Sequence, residues 1–375
     1  MRILVCPQEF KGSLTAPEAA RAISDGIRRA MPDAEVIEAP TADGGPGTVA
    51  LVHAASGGEL IEGRWRGPFG DTVDAAYALL PDGSAVIEAA TVAGLVLVPE
   101  ADRDPGVAST HGVGEQIRDA LRRSARRITI GVGGTGTNDG GAGAAQALGL
   151  LLLDASGREL APGGLALDQL ARIDVSDADP LLADIELRVA VDVSNRLLGP
   201  EGATAIYGPQ KGVTPELAPR LEAALARWTE RCQTDLAVDV ATLDGSGAGG
   251  GLPAGLIAAA SATGASGGTI ASGATIVGEA IGLPQQVTEA DIVVTGEGRL
   301  DAQTAYGKAV AYVARLTDAS DRPCLAVGGT IDAIPPQIND AEAAAPDGMA
   351  VDQAMARAAE LVADAAQRLI QRHAT

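Results

Sequence analysis

The stretch 131–149, GVGGTGTNDGGAGAAQALG, limits what this chain can fold into more than any other. The hydrophobic run Arg127-Ile128-Thr129-Ile130 leads into it and a small-residue run leads out, which reads strand, glycine loop, helix. Its eight glycines permit backbone conformations closed to other residues and expose bare N–H groups. The helix that follows aims its positive end at the same point, so the stretch predicts an anion-binding wall. Thr135, Thr137, Asn138 and Asp139 interrupt the glycines and supply groups for hydroxyls, metals or protons.

The amino end has a similar texture. Residues 2–6 predict a buried strand, with Glu9-Phe10-Lys11-Gly12-Ser13 as the loop at its carboxyl end. Thr15 and Glu18 form a capping-box pattern for a helix with Ala19, Ile23, Ile27 and Ala30 on its apolar face. A strand over 35–39 then feeds a second glycine loop, Asp43-Gly44-Gly45-Pro46-Gly47, and a helix running through His53. Strand, helix, strand, loop, helix argues a parallel sheet with ligands at the carboxyl ends of its strands.

After residue 63 the texture changes to short strands over 64–70, 72–80 and 84–90, with Pro81-Asp82-Gly83 as a hairpin signal. A helix over 113–125 precedes the opening stretch, a strand over 186–192 follows it, and an amphipathic helix spans 215–233. Parallel texture returns with strands at 291–295 and 324–327, a loop over 296–301 and a terminal helix near 350–371. Like ends and an unlike middle predict one discontinuous α/β domain, residues 1–64 and 286–375. A mixed α/β domain with antiparallel hairpins, residues 65–285, is inserted in it, with a cleft between.

Charge limits the partners. With 49 acidic and 28 basic residues the net charge is −21, which repels nucleic acid and anionic lipid, and only 2% aromatics remain for stacking on bases. The run 245–278 carries no charge, but glycine, serine, threonine and Pro253 break it throughout, which predicts buried helices rather than a membrane span. Cys6, Cys232 and Cys324 are scattered and odd in number, so neither a disulfide framework nor a zinc site is indicated. No signal-peptide pattern opens the chain at Met1-Arg2-Ile3-Leu4, so the expectation is a cytoplasmic protein, with a homo-oligomer left open.

Ready-made motifs fail. Gly131-x-Gly133-x-x-Gly136 with Asp154 beyond imitates a dinucleotide fingerprint. The loop runs on through Thr137-Asn138-Asp139-Gly140, however, and leaves too short a helix for the crossover. Gly307-Lys308 lacks the first glycine and the final hydroxyl of a P-loop, because the chain has Ala302 and Ala309. His53, His111 and His373 form no set with the cysteines or serines for nucleophilic catalysis. An NAD-dependent oxidoreductase and a non-catalytic ligand sensor stand as the rival classes.

The set that remains is polar and sits in glycine loops at strand ends: Lys11, Asp43, Asn138, Asp139, Asp192, Asn195, Lys211, Glu297, Arg299, Asp301 and Lys308. The three lysines, against 25 arginines, all adjoin a glycine, where a compact point charge suits a phosphate or carboxylate. Carboxylates beside lysines are what phosphoryl transfer needs. Acids hold Mg²⁺ and accept a hydroxyl proton, while cations and N–H groups neutralise the phosphates.

These segments, in this order, resemble the bacterial type 1 glycerate kinase family. The resemblance rests on Phe10-Lys11-Gly12-Ser13-Leu14, Ala42-Asp43-Gly44-Gly45, Gly133-Gly134 through Thr137-Asn138-Asp139-Gly140-Gly141-Ala142-Gly143, and Asp192-Val193. It continues in Gly208-Pro209-Gln210-Lys211-Gly212 and in Thr295-Gly296-Glu297-Gly298-Arg299-Leu300-Asp301 with Gln303, Thr304 and Gly307-Lys308. It implies a flavodoxin-like parallel-sheet domain beside the inserted one, an active site in the cleft, and MgATP phosphorylating glycerate on its 2-hydroxyl. Under it Lys11, Asp43, Asp192, Asn138 and Asp139 are the catalytic candidates, and Asp192 and Asp301 the metal ligands. The resemblance further implies that Ser13, Gly44, Gly45, Gly133, Gly134, Thr137, Gly140, Gly141, Lys211, Glu297, Arg299, Asp301 and Lys308 bind substrate or nucleotide. The chain departs from the family at Gln8-Glu9, where Asp-Ser is usual, and at Pro46, where Glu is usual. Phosphorylation of a related hydroxy acid, or of the 3-hydroxyl, therefore stays open.

Overall fold

The structure, a computed structural model, describes residues 1–264, 268–301, 304, 309–346 and 348–373. The chain runs β1 (Arg2–Val5), α1 (Ala16–Ala30), β2 (Glu35–Glu38), α2 (Thr48–Ser56), β3 (Glu59–Arg66), β4 (Thr72–Leu79), β5 (Ala85–Glu88) and α3 (Ala90–Ala93). It continues with α4 (His111–Arg122), β6 (Arg127–Gly131), α5 (Ala142–Ala147), β7 (Leu151–Leu153), β8 (Arg172–Asp174), β9 (Glu186–Ala190), α6 (Ala218–Leu236) and α7 (Leu252–Ser261). The remainder is β10 (Gly268–Ala271), α8 (Gly273–Ala280), α9 (Leu283–Glu289), β11 (Ile292–Leu300), α10 (Ala309–Ala319), β12 (Cys324–Ile331), β13 (Asp340–Ala343), α11 (Val351–Ala356) and α12 (Ala358–Gln371).

These elements form two compact units, Met1–Asp43 with Gly273–Thr375, and Gly44–Ser272. Sequence texture alone puts the junctions near residues 64 and 286. The packing divides earlier on both sides, because β3 pairs along its whole length with β4, from Glu59↔Leu79 to Arg66↔Thr72. Helix α2 likewise packs on β4 and β5.

In the first unit five strands, all parallel, lie in the order β13-β12-β11-β1-β2. Renumbered within the unit this is the flavodoxin-like order, whose strand direction of progression reverses between β1 and β11. The capping box at Thr15 forms: the Thr15 N–H donates to Glu18 Oε2 at 2.8 Å and the Glu18 N–H to Thr15 Oγ1 at 3.4 Å. Helix α1 then buries Ala19, Ile23 and Ile27 against Ile3, Val5 and the Leu361, Ala365 and Leu369 face of α12.

The second unit carries a six-stranded mixed sheet, β10-β9-β6-β5-β4-β3. Strands β5, β6, β9 and β10 are parallel, while β3 and β4 add the expected antiparallel hairpins. Its core joins Ile87, Ile128, Ile130 and Val189 from the sheet to Ile117 and Leu121 of α4 and Trp228 of α6.

Three expectations shift. The residues Gly296-Glu297-Gly298-Arg299, read as a loop, lie inside β11, because that strand keeps pairing with β12 through Arg299↔Thr330 and Leu300↔Ile331. The uncharged run contains strand β10 as well as α7, paired in parallel with β9. The terminal helix is two, α11 and α12, divided at Arg357. None of the described helices is long and apolar enough to cross a membrane.

Candidate active site

In the second unit β5, β6, β9 and β10 run side by side in one direction, so their carboxyl ends open along one edge. Glu88 closes β5 opposite Gly131, and Gly131 closes β6 opposite Ala190. Asp192 follows β9 and Ser272 follows β10. The Ser272 hydroxyl donates to Asp192 Oδ1 at 2.8 Å and orients a half-buried carboxylate there.

Both glycine loops already hold an anion, and it is the chain's own. At the first loop Glu88, 6% exposed, accepts from the N–H of Gly47 at 3.0 Å and of Val49 at 3.2 Å, at the start of α2. Burial pushes its carboxyl up, against the pull of those bonds. At the second loop the fully buried Asp139 accepts from Gly141 N at 3.0 Å and Gly143 N at 3.2 Å, and from both N and Oγ1 of Thr110 at 2.8 Å. Burial raises its carboxyl too, opposed by these four bonds. The anion-binding expectation for residues 131–149 is therefore met internally around α5, which is only six residues long.

The glycines serve close backbone packing. A Cβ on Gly251, whose φ is +93°, would stand 2.6 Å from Gly140 Cα, and one on Gly133 would stand 2.8 Å from Gly45 Cα. The Gly140 N–H donates to Gly250 O at 3.0 Å, and the Trp228 indole donates to Gly140 O at 3.0 Å. Loop 131–141 thus lies against residues 44–45 on one side and 249–255 on the other, and side chains would hold them apart.

Between those contacts lie Thr137 and Asn138, both with no exposed surface. The Lys211 ammonium donates to the Thr137 carbonyl oxygen at 2.7 Å, and the Asn138 amide Nδ2 donates to Thr204 Oγ1 at 3.0 Å. Lys211 is 2% exposed, and burial pushes its pKa down to about 7 against the attraction of the Asp139 carboxylate. Asn138 and Asp139, expected among the catalytic residues, face the interior and hold the loop. Lys211, expected at a phosphate or carboxylate, points inward as well.

The first unit presents its own edge. The Gln8 N–H donates to Gly296 O at 2.8 Å, which fixes the loop after β1 at the reversal point beside β11. Gln8 Nε2 donates to Asp43 Oδ2 at 2.6 Å, so the residue that departs from the family pattern orients a half-buried carboxylate. Ser13 closes the same loop through its hydroxyl to Phe10 O at 2.9 Å and leaves Lys11 exposed. Glu297 is 7% exposed and accepts from Thr304 Oγ1 at 2.7 Å, and Thr304 N donates to Asp301 Oδ1 at 3.2 Å. Arg299 pairs with Asp332 at the surface, Nε to Oδ2 at 2.7 Å. Lys308 and Gln303 lie outside the described residues.

The sequence candidates thus divide. Lys11, Asp43, Asp192, Asp301 and Arg299 keep exposed surface, while Thr137, Asn138, Asp139, Lys211 and Glu297 are buried. Gln8, Glu88, Thr110, Thr204, Trp228 and Ser272 were missed, although each holds a candidate residue or its loop. Glu88 carried a signal, since it is a carboxylate ending a strand of apolar residues.

Each unit carries an oriented carboxylate at the carboxyl ends of parallel strands, where α/β enzymes bind their ligands. The sequence profile of the glycerate kinase family matches residues 3–374. The chain is 44% identical over 332 residues to a glycerate kinase of Bacillus subtilis (strain 168), covering 88% of this chain and 85% of that one. It is 42% identical over 332 residues to the glycerate 2-kinase of Escherichia coli (strain K12), covering 88% and 86%. Its fold superposes on the crystal structure of an assigned glycerate kinase 2 from Salmonella typhimurium LT2 with a TM-score of 0.87 and 40% identity, over 100% of this chain and 98% of that one. The chain belongs to the glycerate kinase family, and it is a phosphotransferase with an alcohol group as acceptor.

Proposed function

We propose that this enzyme transfers the γ-phosphoryl group of ATP to the 2-hydroxyl of glycerate, giving 2-phosphoglycerate and ADP. The observation that carries the reading is the pair Asp43 and Asp192. Each is a half-buried carboxylate at the carboxyl edge of its own sheet, and each is oriented by a neutral donor, Gln8 or Ser272. A hydrogen bond from a neutral donor aims a carboxylate oxygen, and an aimed carboxylate is the group that takes a hydroxyl proton or binds a cation in phosphoryl transfer. Glycerate as the acceptor, and the 2-position, follow the names of the relatives.

Asp43 is the base that accepts the hydroxyl proton as the O–P bond forms. Asp192 and Asp301 are the metal ligands. Among the described residues no three His, Cys, Asp or Glu side chains converge into a metal cage. Mg²⁺ in phosphoryl transfer takes one or two carboxylates along with waters and phosphate oxygens, so a single carboxylate from either unit is enough to take part. When bound, it neutralises charge on the phosphates. Lys11, exposed on the loop after β1, counters phosphate or carboxylate charge in a protein of net charge −21. The cytoplasm is the proposed location.

A coupled ADP-release assay with Mg²⁺ over a panel of small hydroxy acids tests the reading. Turnover is expected with glycerate above all others. Turnover with another hydroxy acid and none with glycerate would reassign the substrate.

A further inference from the structure

Residues 203–211 are unusual in conformation. Ala203–Tyr207 form a single π-helical turn, and Pro209–Lys211 a 3₁₀ turn directly after it. π-Turns are rare and concentrate at functional sites. From this one segment two buried side chains reach consecutive residues of loop 131–141. Thr204, 3% exposed, accepts from the Asn138 amide at 3.0 Å, and Lys211 donates to the Thr137 carbonyl at 2.7 Å.

Stability alone does not account for the arrangement. Burying an ammonium is expensive even with the Thr137 carbonyl as acceptor and the attraction of the Asp139 carboxylate, and an apolar side chain of similar length would fill the same space at lower cost. The Thr204 bond also fixes the Asn138 amide: Nδ2 faces Thr204, which leaves Oδ1 as an acceptor, buried and without a partner among the described residues. The turn so held leads directly into Asp139 and α5, and it follows β6 between β5 and β9, the strands that end at Glu88 and before Asp192.

We propose that Thr204 and Lys211 are positioning residues that clamp the Thr137–Asn138 turn, and through it hold the loop beside Asp192 in the shape phosphoryl transfer requires. The clamp rests on the kinase reading above. It acts on geometry, so it is expected to show in kcat rather than in substrate affinity.

The test compares Thr204→Val, which keeps shape but loses the hydroxyl, with Thr204→Ser, which keeps the hydroxyl. Thr204→Val is expected to lower kcat about 100-fold, the scale of a small misplacement of reacting groups. KM for ATP and for glycerate should stay within about 3-fold, and Thr204→Ser should recover kcat to within about 3-fold of the parent. Lys211→Met should lower kcat as well, and combining it with Thr204→Val should add little, because both act on one turn. Normal kcat in Thr204→Val, or equal loss in Thr204→Ser, overturns the clamp. Should Thr204→Val not fold, normal kcat in Lys211→Met overturns it. Asp192→Asn in the same assay separates the levels. Full turnover there sinks the kinase assignment of Asp192, whereas an inactive Asp192→Asn beside a normal Thr204→Val sinks only the clamp.

Discussion

The Lys211 ammonium lies 2.7 Å from the Thr137 carbonyl oxygen, and both residues are buried. A chain with three lysines keeps one of them inside its second unit, bonded to backbone. The consequence is electrostatic as well as geometric.

Burial lowers the Lys211 pKa from 10.5 to about 7. Below about 7 the amine is protonated in both the folded and unfolded chain, and it contributes no slope. Between about 7 and 10.5 only the unfolded chain holds the proton, so this group makes unfolding free energy rise with pH. Urea unfolding over that range should show the rise in the parent and its loss in Lys211→Met. Identical slopes in the two proteins would refute the buried amine.

Asp139 collects four hydrogen bonds in a site with no exposed surface. Asp139→Asn keeps the shape but turns an amide N–H₂ toward N–H and O–H donors, leaving buried groups unpaired. A loss of about 2–4 kcal/mol is expected in urea unfolding. A change near zero would mean that the carboxylate does not hold the start of α5.

Two glycines separate packing from backbone strain. Gly251 and Gly47 have nearly the same φ, +93° and +92°, but a Cβ on Gly251 meets Gly140 while one on Gly47 meets nothing within 4 Å. Gly47→Ala should cost about 1–2 kcal/mol for the left-handed conformation alone. Gly251→Ala should cost several kcal/mol more by chemical unfolding, because the two loops must move apart. Equal losses would show that the loops do not pack back to back.

Much of this was legible locally. The capping box at Thr15 and Glu18, the hairpin at Pro81-Asp82-Gly83 and the parallel texture of both ends involve residues close in sequence, and they appear as read. What failed depended on distant partners. Gly296 to Arg299 look like a loop until β12 supplies the pairing, and β10 is hidden among glycines until β9 lies beside it. Asp139 reads as a ligand group because nothing near it announces Thr110, 29 residues earlier, which takes part in consuming its acceptor capacity. Lysine beside glycine marked Lys211 correctly as special, but the direction of its side chain is set by Thr137, 74 residues away. Glycine-rich loops look alike in sequence whether they receive a ligand or another backbone.

Asp192 keeps exposed surface and an orienting hydroxyl bond from Ser272. Asp192→Asn is expected to lower kcat at least about 1,000-fold with the circular dichroism spectrum and melting unchanged, since the loss falls on transition-state charge. Near-parental turnover would remove Asp192 from the reaction.

Phosphorus NMR of the product formed from glycerate, ATP and Mg²⁺ reads the phosphoryl transfer itself. A single phosphomonoester resonance, coupled to the one proton at carbon 2, is expected to appear in step with ADP. A product coupled to the two protons at carbon 3, or ADP release with no phosphoglycerate, would contradict transfer to the 2-hydroxyl.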